Sequence, residues 1–172
     1  MPRPEPDIAR AVSEDHVEVG GGVISSLAHF LRAVSVQKSE NLRLARQACA
    51  DWNRGDLEAI VANTPEDFEI RLSGGIPDLP AAGHGPEGLR EVFTSWFSEP
   101  WEENLTMDIE DLIEVDENRV LALLVIKGTG RGSGVPVALH YSHLLTFRGG
   151  VITRIEGFVG WRAGLEAAGL RE

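Results

Sequence analysis

The stretch from Arg119 to Val159, RVLALLVIKGTGRGSGVPVALHYSHLLTFRGGVITRIEGFV, decides the fold. Val120 to Ile126 is an unbroken apolar run, Gly128 to Gly134 a glycine-rich connection, and Val135 to Phe147 a second long strand pattern. Gly149-Gly150 marks a hairpin into a third strand, Val151 to Val159. Strands joined by such short turns pair antiparallel and meander. The Val120 to Ile126 run has no polar face, so it needs cover on both sides. Helices supply one cover, and a second subunit is expected to supply the other.

Upstream, Met107, Ile109, Ile113 and Val115 alternate with acids up to a turn at Asp116-Glu117-Asn118, which adds a further strand. Before Pro100 the apolar period changes to three and four. Leu89, Val92, Phe93, Trp96 and Phe97 form one helical stripe behind Pro86, a residue suited to a helix's first turn. Leu42, Ala45, Cys49 and Trp52 form another, stopped at Asn53-Arg54-Gly55, and Asp56 can cap a short helix through Leu57, Ile60 and Val61. Phe68, Ile70 and Leu72 alternate with Glu69 and Arg71 as a strand, followed by a Gly/Pro-rich loop from Ser73 to Gly85. The pattern is α+β: a strongly curved, mostly antiparallel sheet against three N-terminal helices. The organised domain spans residues 41–170. Residues 1–22 carry three prolines, the Gly20 to Gly22 run and little apolar content, and are read as a disordered arm. Residues 23–40 are read as a short amphipathic helix and linker, with Val23, Ile24, Leu27, Phe30, Leu31 and Val34 at helical spacing.

Composition narrows the function. The 172 residues include 16 Lys plus Arg against 27 Asp plus Glu, a formal charge of −11, which opposes binding to nucleic-acid backbones or anionic membranes. Much of that charge collects between Glu99 and Glu117, on positions read as solvated. A single cysteine, Cys49, excludes an internal disulfide and a thiolate zinc site and fits a reducing cytoplasm. No stretch is apolar enough to span a bilayer. The five histidines show no metal-ligand spacing, and Gly128 to Gly134 opens no helix that would hold a nucleotide phosphate, so no metal and no cofactor are expected.

Several short motifs in this order resemble the SnoaL-like branch of the nuclear transport factor 2-like superfamily: Trp52-Asn53-Arg54-Gly55-Asp56-Leu57, His84-Gly85-Pro86-Glu87-Gly88-Leu89-Arg90, Arg131-Gly132-Ser133-Gly134, and the run from His143 to Ile152. That superfamily includes ketosteroid isomerases, polyketide cyclases, scytalone dehydratase and limonene epoxide hydrolase. The resemblance implies a cone with a mostly apolar pocket, often in a homodimer, and no single reaction. Its steroid isomerases use a helix tyrosine, an aspartate base after the first strand and a second acid on a later strand. The matching positions here are Ala48, Leu72 and His143, so that catalytic set is absent as such. The Asp-Arg-Asp set of the epoxide hydrolases has no assignable counterpart.

Strand parity selects the remaining candidates. His143 is the best candidate for chemistry, an imidazole able to act as acid, base or donor near neutral pH, with Tyr141 and Leu145 on the same face. Asp111 shares parity with Ile109 and Ile113, which would turn it inward as a base unless a bulge intervenes. Glu156 falls with Arg154 and Phe158 on the outer face, leaving Ile155 and Val159 on the pocket side. Trp52, Leu72 and Trp96 complete the expected pocket wall. His140 is expected to face outward into a dimer contact, His84 to serve its loop, and Arg131 to sit in a turn. The expected ligand is a small hydrophobic molecule, and the expected chemistry is cofactor-free isomerisation, cyclisation, dehydration or hydrolysis. The alternative is a non-catalytic binding or interaction module in which His143 is a core residue.

Overall fold

The computed structural model describes residues 23–73, 80–98, 101–102 and 105–170, with the side chains of 23–25, 28, 39 and 96–98 outside the description. The arm read over residues 1–22 lies outside it, as does the Trp96 side chain. Two compact units divide the chain, residues 1–35 and 36–172.

Helix α1, Val23–Arg54, runs unbroken where the sequence pattern suggested a short helix, a linker and a second helix. The intervening Ser35 to Glu40 contains neither proline nor glycine, so nothing stops the backbone ladder. Leu27, Phe30 and Leu31, on the segment belonging to the first unit, are exposed. In the second unit α1 ends at Gly55, whose φ of 66° is the left-handed conformation that terminates helices. Asp56 caps α2, Leu57–Ala62, by accepting from the Ala59 N–H at 3.1 Å.

Strands β1 (Glu69–Ser73) and β2 (Ala82–His84) precede α3 (Gly85–Ser98), and β3 (Thr106–Glu114), β4 (Arg119–Thr129), β5 (Pro136–Arg148) and β6 (Val151–Val159) follow. The six strands form one sheet in the order β2-β1-β6-β5-β4-β3. All pairs are antiparallel except β1 with β6, where Ile70 pairs with Ile155 and Leu72 with Gly157. The curved, unclosed sheet packs with α2, α3 and the second unit's part of α1 in the α+β arrangement anticipated above. Its inner face carries the main core, in which Phe68, Ile70, Leu89, Val92 and Leu124 are buried.

The outer face differs from expectation. A helix absent from the sequence reading, α4 (Trp161–Ala167), lies across β4 and β5, and Leu121, Leu144 and Ala168 form a buried cluster there, joined by Phe158 and Leu165. The β4 run is therefore covered on both sides within the chain, without a second subunit. Gly164 permits the contact: a Cβ there would lie 2.1 Å from Ser142 Oγ and 2.6 Å from Ser142 Cβ. Trp161 anchors the start of α4 by donating from Nε1 to the Leu124 carbonyl at 2.8 Å, and its ring stacks on His140 with centroids 4.1 Å apart. His140 thus faces outward as parity required, but against the chain's own tryptophan.

Candidate functional site

Between α1 and the inner face of the sheet, in the second unit, lies a cavity of about 340 Å³. Its existence follows from small residues where the helix meets the sheet: Ala45, Ala48 and Cys49 on α1 and Ala122 on β4 all line it. Phe68, Ile70, Leu89, Val92 and Met107 close it with apolar surface. Where it opens, α1 presents Arg43, Gln47 and Asp51 at spacings of four, one face of the helix, opposite Asn63 and Thr64 of the α2 end.

The inner wall carries two polar side chains from β5, Tyr141 and His143, two residues apart and therefore on one face. Their rings meet edge to face with centroids 5.4 Å apart. Gly157 makes room for this pair. It stands opposite His143 in the β5–β6 register, and a Cβ there would lie 2.7 Å from Tyr141 Oη and 2.7 Å from Leu72 Cδ2. A glycine inside a strand marks such a close approach, the one sequence signal that could have located the Tyr141 hydroxyl beforehand.

Burial in this apolar setting favours the neutral form of each titratable group. It pushes the His143 imidazole down to about 4, the Tyr141 phenol up to about 12 and the Cys49 thiol up to about 11. At neutral pH the cavity wall therefore offers a phenolic O–H, a thiol and an uncharged imidazole with one donor and one acceptor nitrogen. Among the described residues no hydrogen bond is made to the His143 ring, so both nitrogens are available to a ligand. Cys49, held as a thiol, is not an activated nucleophile.

The structure brings Trp52, Leu72, Tyr141, His143, Leu145 and Ile155 together around one cavity. Two expected members lie elsewhere. Asp111 is exposed, because the β3–β4 register shifts between Ile109 and Asp111 and the extra residue reverses the parity; its carboxylate accepts from the Leu112 N–H at 2.8 Å. Val159, at the end of β6, is 42% exposed and outside the lining. Glu156 pairs with Arg154 at 3.3 Å on the outer face. Arg131 donates to the Trp101 carbonyl from the β4–β5 turn, and His84 is exposed on β2. The rim residues Gln47 and Asn63 escaped the sequence reading, since a polar side chain on a helix gives no sign of which space it borders. No helix among the described residues is long and apolar enough to cross a membrane.

The profile of the SnoaL-like domain matches residues 45–155, which include the last turns of α1, most of the pocket strands and both polar residues of the inner wall. The chain belongs to the SnoaL-like domain family. No functionally curated protein matches it in sequence. Among solved structures it is similar to TerC co-crystallized with polyporic acid, at 20% identity and a TM-score of 0.61 over 76% of this chain and 98% of that one. An NTF2-like protein of unknown function from Burkholderia pseudomallei K96243 gives 17% identity and a TM-score of 0.62 over 74% and 95%. SalBIII, an epoxide hydrolase/cyclase-like enzyme in pyran ring formation in polyether salinomycin, gives 20% and 0.59 over 72% and 93%. These likenesses establish the SnoaL-like cone fold. Ala48 and Leu72, the positions that the sequence resemblance matches to the steroid isomerases' tyrosine and aspartate, both line the cavity.

Proposed function

We propose that this protein binds a small, largely apolar molecule in the cone cavity and that any reaction there is acid/base chemistry centred on His143. The observation that carries this reading is the neutral, unbonded imidazole beside Tyr141 in a cavity of about 340 Å³, within the usual range for small-molecule sites. His143 would move a proton or polarise a carbonyl, and Tyr141 would donate to the same oxygen. Trp52, Leu72, Leu145 and Ile155 would hold the apolar body. Asp111 takes no part, because it is exposed on the far edge of the sheet. The likeness to a cyclase-like enzyme and to a structure holding polyporic acid supports an isomerase, cyclase, dehydratase or hydrolase type of reaction on a ring-bearing ligand.

One observation favours a binding protein without catalysis. Ala48 and Leu72 leave the inner wall without a carboxylate, and the one acid on the lining, Asp51, accepts from Gln47 at 2.7 Å and pairs with Arg54 at the solvent edge. A cytoplasmic location fits the lone cysteine. A homodimer through the outer sheet face belongs to the same proposal, restricted to the part of β5 around Ala138 that stays exposed.

Thermal shift against terpenoid, steroid and polyketide-like compounds tests the reading. A true ligand at a hundred times its Kd stabilises by about 2.7 kcal/mol. The shift should shrink in His143→Leu; a shift untouched by that change would remove His143 from the site. Light scattering at micromolar concentration should give a dimer mass, and a monomer mass would contradict the dimer.

A further inference from the structure

Every charged side chain on the cavity lining lies at its solvent edge. Arg43 pairs with Glu40, and Asp51 is held by Gln47 and Arg54. Asn63 and Thr64 are turned back onto the α2 backbone, donating to the Ala59 and Ile60 carbonyls. Farther in, the titratable groups are Cys49 from α1 and Tyr141 and His143 from β5; β1, β4, β6 and α3 contribute no acid or base to the lining. A ligand carboxylate placed against His143 would lose its water and meet no cation, unless it dragged a proton onto the ring. A carbonyl or hydroxyl oxygen faces no such penalty, because a neutral imidazole can donate to the first and accept from the second.

Resting on the cavity reading above, we infer that the site selects an uncharged ligand with one carbonyl or hydroxyl oxygen on its buried end, set against the edge of the His143 ring beside Tyr141, and rejects the isosteric carboxylate. The oxygen-bearing end is the buried one, because His143 and Tyr141 are the polar side chains that β5 sets into the inner wall. Binding then proceeds without net proton uptake near neutral pH.

Three shape-matched probes with the substituent at the same ring position test this: methyl naphthyl ketone, isopropylnaphthalene and naphthoate, titrated calorimetrically near neutral pH in two buffers of different ionisation enthalpy. The ketone should bind about tenfold more tightly than isopropylnaphthalene, the equivalent of one net hydrogen bond, and at least about tenfold more tightly than naphthoate. Its heat should correspond to no proton transfer. In His143→Leu, checked for folding by circular dichroism, the ketone should lose most of its advantage over isopropylnaphthalene, keeping only what Tyr141 supplies, while His143→Gln, which keeps a neutral donor and acceptor, should retain the preference. Naphthoate binding as tightly as the ketone, or uptake of a proton, would overturn the inference. Isopropylnaphthalene binding with no gain for the ketone would overturn it while leaving the cavity reading intact; failure of all three probes to bind would overturn both.

Discussion

Strands β4 and β5 bury their two faces in opposite ways. On the outer face α4 sits so close that a methyl group at Gly164 would overlap Ser142, and Leu121 and Leu144 are buried beneath it. On the inner face the same strands border an open cavity of about 340 Å³ that holds the two polar rings. Packing to interior density belongs to the outer layer, and space belongs to the inner one. The contrast gives α4 the tight closure of the outer face and gives the α1 side, which also holds the main core, the space for a ligand.

The sharpest way to break that contrast is Gly164→Val, which forces α4 off the sheet and should lower stability by about 3 kcal/mol or more in a denaturant titration while leaving the inner wall chemically unchanged. A paired truncation sharpens it. Leu144→Ala, in the outer cluster, should cost about 4 kcal/mol, and its neighbour Leu145→Ala, which already borders empty space, about 2 kcal/mol. Equal costs would mean that the two faces are packed alike.

Acid provides the next test. His143 titrates near 6.5 in the unfolded chain and at about 4 when folded, so between these values the unfolded state carries the extra proton. Its contribution to stability is fully present above about pH 6.5 and is lost as pH falls toward 4. The loss is at most about 3 kcal/mol and is reduced by whatever solvent the half-buried ring retains. The difference between wild type and His143→Leu over that window isolates it from the carboxylates. Ala48→Leu has the smallest expected effect on folding, within about 1 kcal/mol, because the added methyl groups enter existing space. The same change should abolish binding of isopropylnaphthalene.

How far the sequence revealed each face follows from the physics of its signals. Period-two alternation placed Tyr141, His143, Leu145 and Ile155 on one side of the sheet, because parity holds wherever register is unbroken. It failed at Asp111, where one extra residue in β3 reversed the face, a shift that composition does not announce. The α4 segment, WRAGLEA, was too short to show helical periodicity and carries a glycine that reads locally as a breaker. Only its packing on Ser142 explains that glycine. The cavity itself could not be read, since Ala48 and Ala122 leave space only in relation to one another. The continuous α1 was obscured for the opposite reason: Ser35 to Glu40 lack apolar residues apart from Val36, and absence of a stripe resembles a linker.

The central claim is that His143 stands uncharged in an apolar ligand cavity. Long-range ¹H–¹⁵N spectra of the imidazole, recorded across a pH titration of the folded protein, test it directly. The account predicts a neutral ring from pH 7 down to a midpoint of about 4. A midpoint near the ordinary value of 6.5 would place His143 in water and contradict the site as described.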